Sequence, residues 1–202
     1  MKLITALKIQ QKNKNKVNVF LDNTYFCSLA IEVVVKNNLK PNMIIDETLI
    51  EKWQLESEKT FAYEKALKLI STRYKTQSEV EEYLKQKGYL PSTVFYVIKK
   101  LLEYDFINDE RYAESFVYHK SQKEGVNKIK QQLFSKGIKE EIIDKALKQI
   151  DNQSQQISVL AEKYMKNKDN TKENLAKLYR YLMGKGFTYD DIKQVIKGED
   201  IW

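Results

Sequence analysis

Apolar positions along this chain fall into a register that repeats every 49 residues. Leu84, Lys87 and Gly88 return as Leu133, Lys136 and Gly137, and again as Leu182, Lys185 and Gly186. The same register places Val80, Ile129 and Leu178 before each glycine, and Val94/Ile98, Ile143/Leu147 and Ile192/Ile196 after it. Within each copy the spacing is helical, so each glycine ends one helix and a second helix follows. A period of this length is the signature of stacked supersecondary units, each too small to bury its own face alone. Such units build a long binding surface in place of one deep pocket.

The flanking residues sharpen each unit. Thr76-Gln77-Ser78-Glu79 is a capping-box pattern that opens a helix closing at Gly88, and Pro91 suits the first turn of the next. Asn108 or Asp109 can cap a helix carrying Tyr112, Phe116 and Val117, which Gly125 is expected to end. In the third unit Leu160, Tyr164 and Met165 mark one helix. A polar linker from Asn167 to Thr171 precedes helices near Leu175–Lys185 and Thr188–Lys197. Upstream, Leu49, Ile50, Trp53, Phe61, Ala62, Ala66, Leu67 and Ile70 are spaced for one or two helices over 47–72.

Residues before these alternate at period two. Val17–Leu21 and Tyr25–Leu29 flank Asp22-Asn23-Thr24 as a β-hairpin, Leu3–Ile9 is a third strand candidate, and a short helix is expected over Ala30–Asn37 before a turn at Lys40-Pro41-Asn42. The expected fold is therefore mainly α: a small α/β module with a β-hairpin at 1–55, then three-helix repeats at 56–105, 106–152 and 153–202.

Composition narrows the function. The 202 residues are 42% hydrophobic and 31% charged, no apolar run is long enough to span a bilayer, and Met1-Lys2-Leu3-Ile4-Thr5 does not read as a signal peptide, so a cytoplasmic, membrane-free protein is expected. A single cysteine, Cys27, excludes an internal disulfide and reads as a buried thiol. The net charge of +7 is spread along the chain without a basic tail, which favours acidic partners or nucleic acid through diffuse attraction.

No catalytic constellation accompanies this. The one histidine, His119, has no cysteine or histidine companion for zinc and reads as a surface residue. Gly184-Lys185-Gly186 lacks the upstream glycine and following hydroxyl of a phosphate loop. Glu81/Glu82, Glu140/Glu141 and Asp190/Asp191 are adjacent on helices, so each pair diverges by about 100°; solvation and the helix dipole explain them better than magnesium does. Neither an enzyme nor a cofactor is expected.

The remaining chemistry is cationic. Lys128, Lys130 and Lys136 decorate the middle helix of the second repeat, and Lys177, Arg180 and Lys185 that of the third, where Tyr179 and Tyr181 could stack on bases or meet a protein. Each lysine taken singly reads first as a soluble helix face. Insertion of the last helix of a repeat into a major groove is disfavoured, because Glu140-Glu141 and Asp190-Asp191 would meet phosphates at its entry.

Several ordered motifs together give a resemblance. Ala66-Leu67 through Arg73, Ser78-Glu79-Val80, Leu84 to Gly88, Phe106-Ile107-Asn108-Asp109-Glu110-Arg111-Tyr112-Ala113, Gly125-Val126-Asn127-Lys128-Ile129 and Leu133 to Ile138 resemble the bacterial RecX regulatory proteins over roughly 60–150. The third repeat is similar in architecture with weaker motifs, and the strand module is similar to an extension found in some members. The resemblance implies a monomeric modulator of the RecA recombinase, typically an inhibitor in recombination and DNA repair. Such a protein lies along the RecA–DNA filament and blocks its growth or promotes its disassembly, with single- or double-stranded DNA as a further partner. It maps an arginine-and-serine motif to Arg73 and Ser78-Glu79, and an acidic-aromatic motif to Asp109, Tyr112 and Ala113. There Asp109 also reads as a helix cap and Tyr112 as core. The chain departs from the pattern at Tyr74-Lys75-Thr76, where Lys75 can replace an arginine's charge but not its bidentate geometry. The candidate contacts to acidic protein or phosphate are Arg73, Lys75, Arg111, Lys128, Lys130, Lys136, Lys177 and Arg180. The alternative is a helical repeat that binds nucleic acid without sequence preference and without the recombinase.

Overall fold

Asp22 and Asn23 both take positive φ, at 48° and 68°, the backbone of a tight hairpin turn whose twist matches its strands. They join β2 (Lys16–Leu21) to β3 (Thr24–Ala30), and β1 (Lys2–Ile9) pairs antiparallel on the other side of β2. In this computed structural model, which describes residues 1–196, α1 (Ile31–Lys36) follows β3 directly. A two-residue strand, β4 (Ile44–Ile45), then closes the sheet in the order β3-β2-β1-β4. The sequence pattern does not reveal β4, because two isoleucines have no measurable period and their partners, Lys2 and Leu3, lie some forty residues away.

One continuous helix, α2 (Glu47–Ile70), spans 24 residues. Its first half belongs to the sheet: Ile50 and Trp53 complete a core with Ile4, Val19, Leu21, Leu29 and Val33, and the buried Ser57 hydroxyl accepts from the Ala30 amide at 2.9 Å. Its second half packs on α4. The division expected at residue 55 thus falls inside a helix shared by the strand module and the first repeat. Cys27 lies in this core, and burial pushes its thiol up to about 11, so it is inert at neutral pH.

The first repeat continues with α3 (Gln77–Gln86) and α4 (Pro91–Glu103), the latter with Pro91 in its first turn. The second holds α5 (Asp109–Lys120), α6 (Val126–Ser135) and α7 (Glu140–Leu147). The third holds α8 (Ser154–Met165), α9 (Lys172–Gly184) and α10 (Tyr189–Val195). The last helix was expected to reach Lys197, which lies outside the described residues. Helix α9 begins three residues before the expected Leu175, because Thr171 caps it by accepting from the Asn174 amide at 3.2 Å.

The chain forms two compact units. The first comprises 1–75 and 80–106; the second comprises 76–79 and 107 onward. Ala113, Val117, Ile129, Leu133, Ile138, Ile143 and Ala146 form one core of the second unit, and Ile157, Leu178, Leu182, Phe187 and Ile192 another.

Candidate binding surface of the helical repeats

Gly88, Gly137 and Gly186 all adopt positive φ, at 82°, 75° and 92°, as a glycine ending a helix should. Two of them also mark close approaches of another helix. A methyl group on Gly137 would meet the Ser78 side chain inside 3.0 Å, and one on Gly186 would meet Lys128, whereas Gly88 has nothing within 4 Å. In both tight cases the neighbour is the first turn of a middle helix 58–59 residues earlier in the chain.

These approaches belong to two junctions of one design, both within the second unit. At the first, the Thr76 hydroxyl donates to the Lys136 carbonyl at 2.8 Å. At the second, Gly125 occupies the position one repeat later, and its amide donates to the Lys185 carbonyl at 2.9 Å while Asn127 donates to Gly186 at 3.1 Å. A methyl group on Gly125 would strike the backbone of Gly186 and Phe187. This corrects the expected role of Gly125: α5 ends at Lys120 with Ser121 as its C-cap, and Gly125 is the N-cap of α6. Thr76 carries the signal for this role, since its capping box, moved by one period, lands on residue 125.

The caps also resolve the choice at the start of α5. Asn108 is the N-cap, accepting from the Arg111 amide at 3.0 Å. Asp109 instead accepts from the Gln77 amide at 2.9 Å and so caps the start of α3. Thr76 and Glu79 complete the capping box reciprocally, each side chain accepting from the other's amide at 3.2 Å. Tyr112 is half-buried against the second repeat's core and stacks on Phe116 with ring centroids 6.1 Å apart.

The cations differ in how far they are committed. Lys128 pairs with Glu124 at 3.2 Å. Lys130 bridges Glu140 and Asp144 on α7, each at 2.9 Å, and these contacts raise its pKa. Lys136 pairs with Glu79 at 3.0 Å and sits 5.6 Å from the Tyr112 ring centroid. Lys177 pairs with Glu173 one turn away at 2.6 Å. Arg73 and Arg180 are exposed and make no ion pair among the described residues; Lys75 is half-buried and Arg111 exposed. Six of the eight therefore lie in the second unit, with Lys128 beside the Gly186 turn, and Arg73 and Lys75 lie in the first. Burial opposes ionisation of Glu124, but hydrogen bonds from Lys128 and Gln132 outweigh it and hold the carboxyl below its ordinary range.

The aromatic expectation divides. Tyr179 is 5% exposed and donates to the Ile196 carbonyl at 3.3 Å, so it is core and cannot take a base. Its equivalents one and two periods earlier are Lys130 and Glu81, so the repeat carries no sign of burial at this position. Tyr181 is half-buried and stacked on Tyr164 at 4.8 Å, with Lys185 over its ring and Lys168 over that of Tyr164. His119 is exposed. Among the described residues there is no group of three or more metal-ligating side chains, and no helix is long and apolar enough to cross a membrane.

Four family models match successive segments of the chain. They are the regulatory protein RecX N-terminal domain at 2–46, and the first, second and third three-helix domains of RecX at 62–101, 108–147 and 151–196. The regulatory protein RecX of Clostridium botulinum is 36% identical, covering 98% of this chain and 96% of that protein. That of Clostridium beijerinckii is 37% identical over 98% and 95%. A crystal structure of regulatory protein RecX superimposes with a TM-score of 0.77 at 26% identity, covering 98% of this chain and all of the other. RecX from Lactobacillus salivarius gives 0.65 at 32% identity over 69% of this chain and 95% of the other. These names describe a regulatory protein and not an enzyme.

Proposed function

Because the chain belongs to the RecX family of regulatory proteins, we propose that it is a negative regulator of a cytoplasmic RecA recombinase, binding along the RecA–DNA filament and limiting its growth or activity. The observation that carries this reading is the repeated junction. Thr76 on Lys136 and Gly125 on Lys185 tie the starts of successive middle helices to the following glycine turns, the first through a side-chain hydroxyl and the second through a backbone amide. Such a scaffold suits a periodic partner, because several weak contacts engaged together add to useful avidity. Arg73, Lys75, Arg111, Lys128, Lys130, Lys136, Lys177 and Arg180 are the proposed contacts to acidic recombinase surface or phosphate, with the protein acting as a monomer.

The test is the DNA-dependent ATPase rate of preassembled RecA filaments as the protein is titrated in, with bare-DNA binding measured at the same salt. Inhibition well below one molecule per recombinase subunit, at concentrations where bare DNA stays unbound, is the expected result. An unaffected filament beside tight bare-DNA binding, falling by about 0.9 decades per decade of salt for each phosphate neutralised on duplex, would instead assign a stand-alone nucleic-acid module.

A further inference from the structure

A groove of about 800 Å³ runs along α2 in the first unit, apart from the cations of the repeats. Its floor follows one helical face, from Lys52 through Leu55, Lys59, Tyr63 and Leu67, which is four turns or about 22 Å at 1.5 Å per residue. Helix α1 supplies one wall with Val33 and α4 the other with Tyr96 and Lys100. Leu55 and Tyr96 are each 39% exposed, so apolar surface is open to solvent along the groove.

The charges in it are unevenly committed. Glu56 is held by Lys36, and Glu64 accepts from the Asn15 side chain at 2.9 Å. Lys52, Lys59 and Lys100 have no carboxylate partner among the described side chains, which leaves Glu32 as the one acid of the lining without a partner. Lys59 lies 5.0 Å from the Tyr96 ring centroid and Lys100 4.5 Å from that of Tyr63. One face of each ring is therefore occupied by an ammonium group, which leaves less aromatic surface for stacking bases and favours a protein over a single-stranded nucleic acid.

We infer that this groove is a docking site for an acidic amphipathic segment of a partner protein. The apolar side chains of such a segment would lie on Leu55 and Leu67, beside Tyr96, and its carboxylates would meet Lys52, Lys59 and Lys100. Lys52 and Lys59, seven residues apart, stand about 10 Å apart along α2, which matches carboxylates two turns apart on a helical ligand. The inference is independent of the recombinase reading, since it uses none of the cations assigned there.

The full chain would be titrated into a fluorescein-labelled helical peptide of about sixteen residues, with glutamate on one face and leucine on the other, and followed by anisotropy. A lysine-for-glutamate peptide and an oligothymidylate serve as competing probes. Binding of the acidic peptide should weaken at least about tenfold in Lys52→Glu/Lys59→Glu/Lys100→Glu, the scale of one lost charge-assisted contact or more, with the thermal transition kept. Leu55→Ser, a neutral change at an exposed site, should weaken it as well and guards against a purely electrostatic effect. Equal binding to the triple variant, binding insensitive to Leu55→Ser, no binding at all, or displacement by the oligothymidylate or the basic peptide would each overturn the assignment.

Discussion

Lys136 is a surface cation only in part. Its side chain is 29% exposed and that of its partner Glu79 is 26% exposed, so the pair is largely withdrawn from water. Burial alone would lower the Lys136 pKa, but hydrogen bonds to Tyr112 and Glu79 outweigh it and hold the ammonium above the ordinary lysine range. A folded pKa raised in this way means stabilisation that is fully present at and below neutral pH, and is lost only as pH rises through the folded value. Lys136→Glu would set two carboxylates against each other in this half-buried site and should destabilise the fold by about 1–3 kcal/mol. Lys177→Glu makes the same charge reversal against Glu173 on an exposed helix face and should leave the urea midpoint unchanged. Equal midpoint shifts in the two variants would show that the buried link contributes nothing of its own. A binding defect in Lys136→Glu is accordingly readable as a contact only after its stability has been measured, whereas Arg73 and Arg180 can be reversed without that complication.

At the scale of elements, glycine does two separable jobs. Gly125 has an ordinary φ of −82°, so alanine there is conformationally free, yet its methyl would strike Gly186 and Phe187. Gly88 is the reverse case, with positive φ and open space. Gly88→Ala should therefore cost only backbone strain, about 1 kcal/mol, while Gly125→Ala should cost more than about 3 kcal/mol through the clash, and Gly186→Ala at least as much. Urea denaturation of the three variants checks the order, and a Gly88→Ala loss equal to that of Gly125→Ala would refute the close-approach account. The positive φ of these helix-ending glycines was legible in the sequence because it is local. So were the hairpin turn at Asp22-Asn23, the Thr76 capping box and Pro91 in the first turn of α4. Asp109 on Gln77, Thr76 on Lys136 and Gly125 on Lys185 were not, because each joins residues 32 to 60 apart whose identities also make sense as local caps. The candidate cations were legible as a set, but the carboxylate partners of Lys130 and Lys136 were not: Asp144 and Glu79 lie 14 and 57 residues away, whereas Glu124 and Glu173 stand four residues before Lys128 and Lys177.

For the whole molecule, the shared helix decides what can fold alone. Cutting after residue 55 keeps Ile50 and Trp53 but leaves α2 only nine residues long, shorter than a helix sustains without support. It also removes Ser57, so the buried Ala30 amide loses its acceptor at a cost of about 1–3 kcal/mol, and it removes Phe61, which packs against the same core. A sheet of three longer strands and a two-residue edge has little margin for both losses. A fragment of residues 1–106 retains the whole of α2, the α4 surface on which its second half packs, and every residue of the first compact unit. Fragment 1–106 should therefore show one cooperative thermal transition, with Trp53 emission shifted to the blue in the folded state, while fragment 1–55 should show no transition and an emission maximum typical of exposed tryptophan. A cooperative transition in 1–55 would mean that the strand module is autonomous and that α2 merely continues out of it. The opposite result makes α2 the beam on which the strand module and the first repeat both depend, so that a substitution at Trp53 would be felt in the repeat as well as in the sheet.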